Sequence, residues 1–128
     1  MKDPQEYLIH IVEDDEQSRK LIITALTRLG FKIMESKNGN EALEHLKDKK
    51  PDIILVDAMM PELDGFELIK RIRLINELKE TPIIMTTALD DAKHIKESIS
   101  VGANAYIVKP INFERLKTKI KEFIHVNL

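Results

Sequence analysis

Short apolar runs rich in Ile and Val alternate along the chain with longer segments whose apolar residues recur three and four positions apart. The runs predict strands at Tyr7 to Val12, Phe31 to Glu35, Asp52 to Val56, Ile83 to Thr86 and Ala105 to Val108. Helical spacing occupies the segments between and after them. Ile22, Ala25, Leu26 and Leu29 mark the first helix, Leu68, Ile72 and Ile75 the third, and Phe113, Leu116, Ile120 and Phe123 the last. The second is short and weakly apolar, with Ala42, Leu43 and Leu46 as its inner face. Gly30 and Gly102 follow helical segments where a left-handed cap is needed, and Pro51 and Pro82 stand just before strands. Successive strand-helix units, with the third and fourth strands apolar almost throughout, predict an α/β fold with a doubly wound parallel sheet covered on both faces. No repeat or linker interrupts the pattern, so residues 1–128 read as a single domain.

In such sheets ligands bind beyond the carboxyl ends of the strands, where the winding direction reverses. Glu13, Asp14, Asp15 and Glu16 follow the first strand, Asp57 the third, Thr87 and Ala88 the fourth, and Lys109 and Pro110 the fifth. Strand two ends in Ser36-Lys37-Asn38, which suggests no chemistry. In a 2-1-3-4-5 sheet the four informative ends share one rim. Carboxylates about 4 Å apart repel by roughly 4 kcal/mol per pair at an effective dielectric near 20, so the cluster implies a cation. Oxygen ligands with coordination places left for water and phosphate suit Mg²⁺, with Mn²⁺ as a substitute, better than Ca²⁺ or zinc. Beside such a metal Asp57 can act as a nucleophile on phosphorus, with Lys109 absorbing charge on the phosphoryl oxygens. Thr87 can then donate its hydroxyl to the aspartyl phosphate, a contact that exists only in the phosphorylated state and so suits a switch.

Each residue taken alone has a plainer reading. Asp14 and Asp15 suit a helix N-cap and first turn, the Asp57 to Gly65 segment a strand exit and turn, Thr87 a strand, and Lys109 a solvated position. Their coincidence in type, order and place argues for a site. His10, His45, His94 and His125 lack ligand spacing and read as structural or solvent-facing; Tyr106 reads as a half-buried strand aromatic, and Lys47 to Lys50 as a solvated helix end. Absence of cysteine removes disulfides and thiolate chemistry. With 22 acidic and 20 basic residues, the net charge of −2 gives no field to draw in nucleic acid or an anionic membrane. The amino-terminal residues lack a signal-peptide core and the run Ile53 to Val56 is too short to span a bilayer, so a cytoplasmic location is expected.

Val12-Glu13-Asp14, Asp57 with Met60-Pro61 and Asp64-Gly65, Thr87-Ala88 and Lys109-Pro110 together resemble the receiver domain of bacterial two-component response regulators, over essentially the whole chain. The resemblance implies a flavodoxin-like, CheY-like sheet of order 2-1-3-4-5 and a single receiver domain with no output domain in these residues. It implies that Asp57 accepts a phosphoryl group from the phosphohistidine of a sensor histidine kinase or phosphotransfer protein. Glu13 and Asp14 would hold Mg²⁺ with Asp57 and the backbone carbonyl of Met59, Asp14 directly and Glu13 through water. Asp15 falls outside the acidic pair and is assigned to helix capping. Lys109 would pair with the phosphoryl group next to a cis Lys109-Pro110 peptide, Thr87 would move toward the phosphate, and Tyr106 would turn inward into the vacated space. The surface of helix four, strand five and helix five would then signal to a downstream target or to an output domain elsewhere. Met59 and Leu89, flanking the path of the attacking water, are apolar and imply slow self-dephosphorylation.

This reading makes the chain a phosphorylated switch rather than an enzyme with a separate substrate, either standing alone or as part of a longer regulator or hybrid kinase. A phosphatase of the haloacid dehalogenase type needs a second Asp two positions after the nucleophile, where this chain has Met59. A flavodoxin-type binding module needs a Ser/Thr/Gly-rich phosphate loop after strand one, where this chain has four acids. A degenerate receiver conflicts with the intact acidic, Thr and Lys positions.

Overall fold

The structure is a computed structural model that describes residues 1–128. Strands β1 (Leu8–Val12), β2 (Lys32–Ser36), β3 (Ile53–Asp57), β4 (Ile83–Thr87) and β5 (Ala105–Val108) alternate with helices α1 (Glu16–Arg28), α2 (Gly39–Asp48), α3 (Gly65–Arg73), α4 (Ala92–Ser100) and α5 (Phe113–Phe123). The strands form one parallel sheet in the order β2-β1-β3-β4-β5, the predicted doubly wound arrangement.

Side-chain alternation along the strands divides the core in two. Ile9, Ile11, Ile53, Leu55 and Ile84 pack against Ile22 and Leu26 of α1 and Leu116 and Ile120 of α5. Val12, Ile54, Val56, Ile83 and Met85 face the other way, against Leu46 of α2 and Leu68, Ile69 and Ile72 of α3. The central strand β3 is therefore buried on both faces, which is why its sequence reads as a continuous apolar run. Each such side chain contributes about 1.5–3 kcal/mol on removal from water.

All the α-helices start on an Asp or Asn whose side chain accepts an amide of the first turn: Asp15, Asn38, Asp64, Asp91 and Asn112. Gly30 and Gly102 take φ of 103° and 117°, the left-handed conformation anticipated after α1 and α4. No helix is long and apolar enough to cross a membrane.

Several boundaries differ from expectation by a residue. Tyr7 lies before β1, because its amide closes the short 3₁₀ turn Pro4–Glu6 by bonding to the Pro4 carbonyl. Phe31 lies between α1 and β2, its amide donating back to the Leu26 carbonyl of α1, so β2 starts and stops one residue later than predicted. Asp52 precedes β3 and accepts the Leu8 amide with its carboxylate. Asp57 and Thr87 are the last residues of β3 and β4 rather than the first beyond them, in register with Thr86 and Val108. Ile75 lies outside α3, which stops at Arg73, but still packs on the core. Arg73 holds this end of α3 in place. Its guanidinium donates to the carbonyls of Leu78, Thr81 and Gly102 at 2.7–3.0 Å and to Asn104 Oδ1.

Candidate functional site

The carboxyl ends of β1, β3, β4 and β5 bring the predicted residues to one rim. Glu13 follows β1 with its amide bonded to the Ser36 carbonyl and is 1% exposed; Asp57 closes β3 at 5% exposed. Asp14 is exposed beside them, and one carboxylate oxygen from each of Glu13, Asp14 and Asp57 lies within 4.8 Å of the others. Lys109 reaches in from the end of β5, its Nζ 2.5 Å from Glu13 Oε1 and 3.2 Å from Asp57 Oδ1. Its amide donates to the Thr87 carbonyl at 2.7 Å, and the Lys109-Pro110 peptide is cis, as the resemblance implies.

Local backbone geometry sets the loop after β3. After Asp57 the chain turns back so tightly that the Gly65 amide bonds to the Ala58 carbonyl, and a Cβ on Gly65 would lie 2.3 Å from the Asp57 carbonyl oxygen. The Asp64-Gly65 pair is thus more than turn chemistry: Asp64 caps α3 and Gly65 admits the backbone of Asp57.

The pocket is underneutralised. Burial, followed by the adjacent Glu13 carboxylate, pushes Asp57 up to about 7 against the opposing pull of Lys109. For Lys109, burial acts to lower the pKa, but its hydrogen bond to Glu13 and the charges of both carboxylates outweigh burial and raise it. One ammonium faces two buried carboxylates and an exposed third. An all-oxygen, net-negative donor set with a solvent-facing side fits a hard divalent cation of the Mg²⁺ type.

The remaining predicted residues are placed as follows. Thr87 is buried, and its Oγ1 accepts the Leu89 amide at 2.8 Å, which leaves the hydroxyl proton free to be donated. Tyr106 is half-buried in register with Met85 and packs against the α3 side of the core. Met59 is 58% exposed in the loop after β3, and shares an open groove of about 280 Å³ with Leu89 and His94. Asp15 caps α1 through the Ser18 amide, as assigned. Sequence reading missed a buried chain at the end of β2: Ser36 Oγ lies 2.7 Å from both His10 Nε2 and His45 Nδ1. The available signal was a histidine inside the apolar run of β1.

The family model for the response regulator receiver domain matches residues 9–121, and the chain belongs to that family, the receiver module of two-component signalling. Chemotaxis protein CheY1 of Helicobacter pylori is 36% identical over 120 residues, 91% of this chain and 96% of that protein. The transcriptional regulatory protein AfsQ1 of Streptomyces coelicolor is 35% identical over 111 residues, 87% of this chain but 48% of its own length. Like AfsQ1, several curated relatives are about twice as long as the part this chain matches. Among solved structures, the chemotaxis protein CheY4 of Vibrio cholerae superposes with a TM-score of 0.88 at 30% identity, covering 92% of this chain and 98% of that one.

Proposed function

We propose that this receiver domain accepts a phosphoryl group on Asp57 and reports its presence through the α4-β5-α5 surface. The observation that carries the reading is the joint placement of Asp57, Glu13, Asp14 and Lys109, with one buried carboxylate at the end of the central strand and a single ammonium against it. The donor would be a phosphohistidine of a sensor kinase or phosphotransfer protein. An Asp57 carboxylate oxygen forms the new P–O bond as the P–N bond breaks, and the departing imidazole takes up a proton from solvent. Bound by Glu13, Asp14, Asp57 and the Met59 carbonyl, Mg²⁺ would supply charge neutralisation for the phosphoryl oxygens. Lys109 pairs with the same oxygens, and Thr87 donates the proton that its bond to Leu89 leaves unused. Tyr106 turns inward as Thr87 moves, changing a face that includes Ile99, Thr118 and Lys119.

Exposed Leu21 on α1 and Phe113 at the start of α5 flank Lys109 and Pro110, and this apolar surface suits seating of the donor protein beside the acceptor. The phosphatase alternative is disfavoured because Met59 stands where its second acid is needed. Intact-protein mass spectrometry after incubation with acetyl phosphate and Mg²⁺ tests the proposal: one phosphoryl group gained by the wild type and none by Asp57→Asn supports it, and equal labelling of both refutes it.

A further inference from the structure

Arg19 stands in the first turn of α1, where a cation opposes the positive end of the helix dipole. Its side chain is nevertheless only 13% exposed rather than extended into solvent. Helical side chains lean back toward the amino terminus, and this one lies over the turn between β1 and α1. There its Nη1 donates to the Glu13 carbonyl at 2.9 Å, and its Nε donates to Glu35 Oε1 of β2 at 3.1 Å. Glu35 is its one ion-pair partner, so the guanidinium bonds to the main chain of the acidic cluster and not to its carboxylates.

The bonded carbonyl belongs to the peptide joining Glu13 to Asp14, so its direction fixes the main chain between the first two acids of the cluster. The preceding peptide is fixed as well, because the Glu13 amide donates to the Ser36 carbonyl at 3.1 Å. At the side chain, Glu13 Oε2 accepts the Asp15 amide at 3.2 Å and Oε1 pairs with Lys109. Asp14 has no comparable support. Its exposed carboxylate makes no hydrogen bond or ion pair, and the main chain alone sets where it stands against the repulsion of Glu13 and Asp57. Loss of the Arg19 bond frees the peptide plane that governs both side chains.

A guanidinium suits this task because its nitrogens diverge in a fixed plane, so that one takes the anchoring carboxylate while another takes the carbonyl. A lysine ammonium at the same place reaches one of the two. The charge makes the bond to the Glu13 carbonyl roughly twice as strong as one from a neutral donor. The Glu35 side chain is 56% exposed on β2, and its part is to aim Arg19.

On the phosphoryl-acceptor reading above, we propose that Arg19 is a positioning residue for the divalent cation: anchored by Glu35, it holds the Glu13–Asp14 peptide so that both carboxylates stay gathered beside Asp57. A simple brace between α1 and β2 would affect stability alone. A positioning role shows in metal affinity.

The test is isothermal titration calorimetry of the unphosphorylated protein with Mg²⁺, using wild type, Arg19→Ala, Arg19→Lys, Glu35→Ala and the Arg19→Ala/Glu35→Ala double variant, with thermal unfolding to confirm that each is folded at the assay temperature. Arg19→Ala should raise the Kd about tenfold, and Arg19→Lys and Glu35→Ala about threefold each. The Glu35 substitution should add nothing once Arg19 is gone. Phosphorylation of Arg19→Ala by acetyl phosphate should need about tenfold more Mg²⁺ to reach half its maximal rate, and saturating Mg²⁺ should bring that rate to within about twofold of the wild type. Should Arg19→Ala fail to fold, Arg19→Lys and Glu35→Ala decide by the same titration. An unchanged Kd in the folded variants, even with a lowered melting temperature, overturns the inference, as does a Glu35→Ala effect that persists in full without Arg19. A wild type that takes up no phosphoryl group sinks the acceptor reading and this inference together, whereas normal phosphorylation with unchanged Mg²⁺ affinities sinks the inference alone.

Discussion

Replacing Asp57 by Asn should stabilise the metal-free protein, and the gain should depend on pH. The Asp57 carboxyl is buried beside Glu13 and titrates at about 7 rather than at 3.8. Between those two values the folded chain retains a proton that the unfolded chain has released, so stability is fully present below pH 3.8 and is lost as pH rises through 7. At about 1.4 kcal/mol per decade, the gap sets an upper bound of about 4 kcal/mol on what the charged carboxylate costs at pH 8.5. Asn removes that charge but weakens the bond to Lys109, which offsets part of the gain and leaves about 2 kcal/mol. Urea unfolding in the presence of a chelator measures it. We expect Asp57→Asn to exceed the wild type by about 2 kcal/mol at pH 8.5 and to match it at pH 4, with Mg²⁺ then stabilising the wild type far more than the variant. A gain equal at both pH values, or none at pH 8.5, would refute the argument that charge crowding at Asp57 drives the effect.

Three further perturbations follow from the geometry. Arg73→Ala strips the hydrogen-bond partner from the carbonyls of Leu78, Thr81 and Gly102, and thermal or urea unfolding should register a loss of about 3 kcal/mol. Gly65→Ala places a methyl 2.3 Å from the Asp57 carbonyl oxygen, and should cost about 2 kcal/mol or more in stability and at least tenfold in phosphorylation rate, read by urea unfolding and intact mass. Met59→Ala or Leu89→Ala opens the groove these residues share, and the half-life of the phosphorylated protein should shorten relative to wild type. An unchanged half-life would mean that the two side chains do not shield the phosphate.

How much was legible in the sequence depends on whether a contact leaves a periodic or compositional trace. The five strands, and the gathering of candidate residues at their ends, were readable because Ile and Val runs are interrupted by Asp57, Thr87 and Lys109 at the points where a parallel sheet must expose its rim. Right-handed crossovers narrow the possible topologies, and the strand order itself came from the resemblance to receiver domains. The last residue of β3 and of β4 was not readable, because Asp57 and Thr87 enter the ladder through backbone register that hydropathy does not record. Arg73 was missed for a related reason: most of its partners are carbonyls, which any residue could supply. The His10-Ser36-His45 chain joins residues from β1, β2 and α2, and only their folded proximity shows that the three side chains are hydrogen-bonded.

The central claim is that Asp57, and no other acid of the cluster, becomes the phosphorylated residue. Borohydride reduces an aspartyl phosphate to homoserine, which marks the acceptor permanently. After treatment with acetyl phosphate and Mg²⁺ followed by borohydride, peptide sequencing should find homoserine at position 57. Reduction at Asp14 or Asp15 in its place, or at no acid at all, would contradict the account.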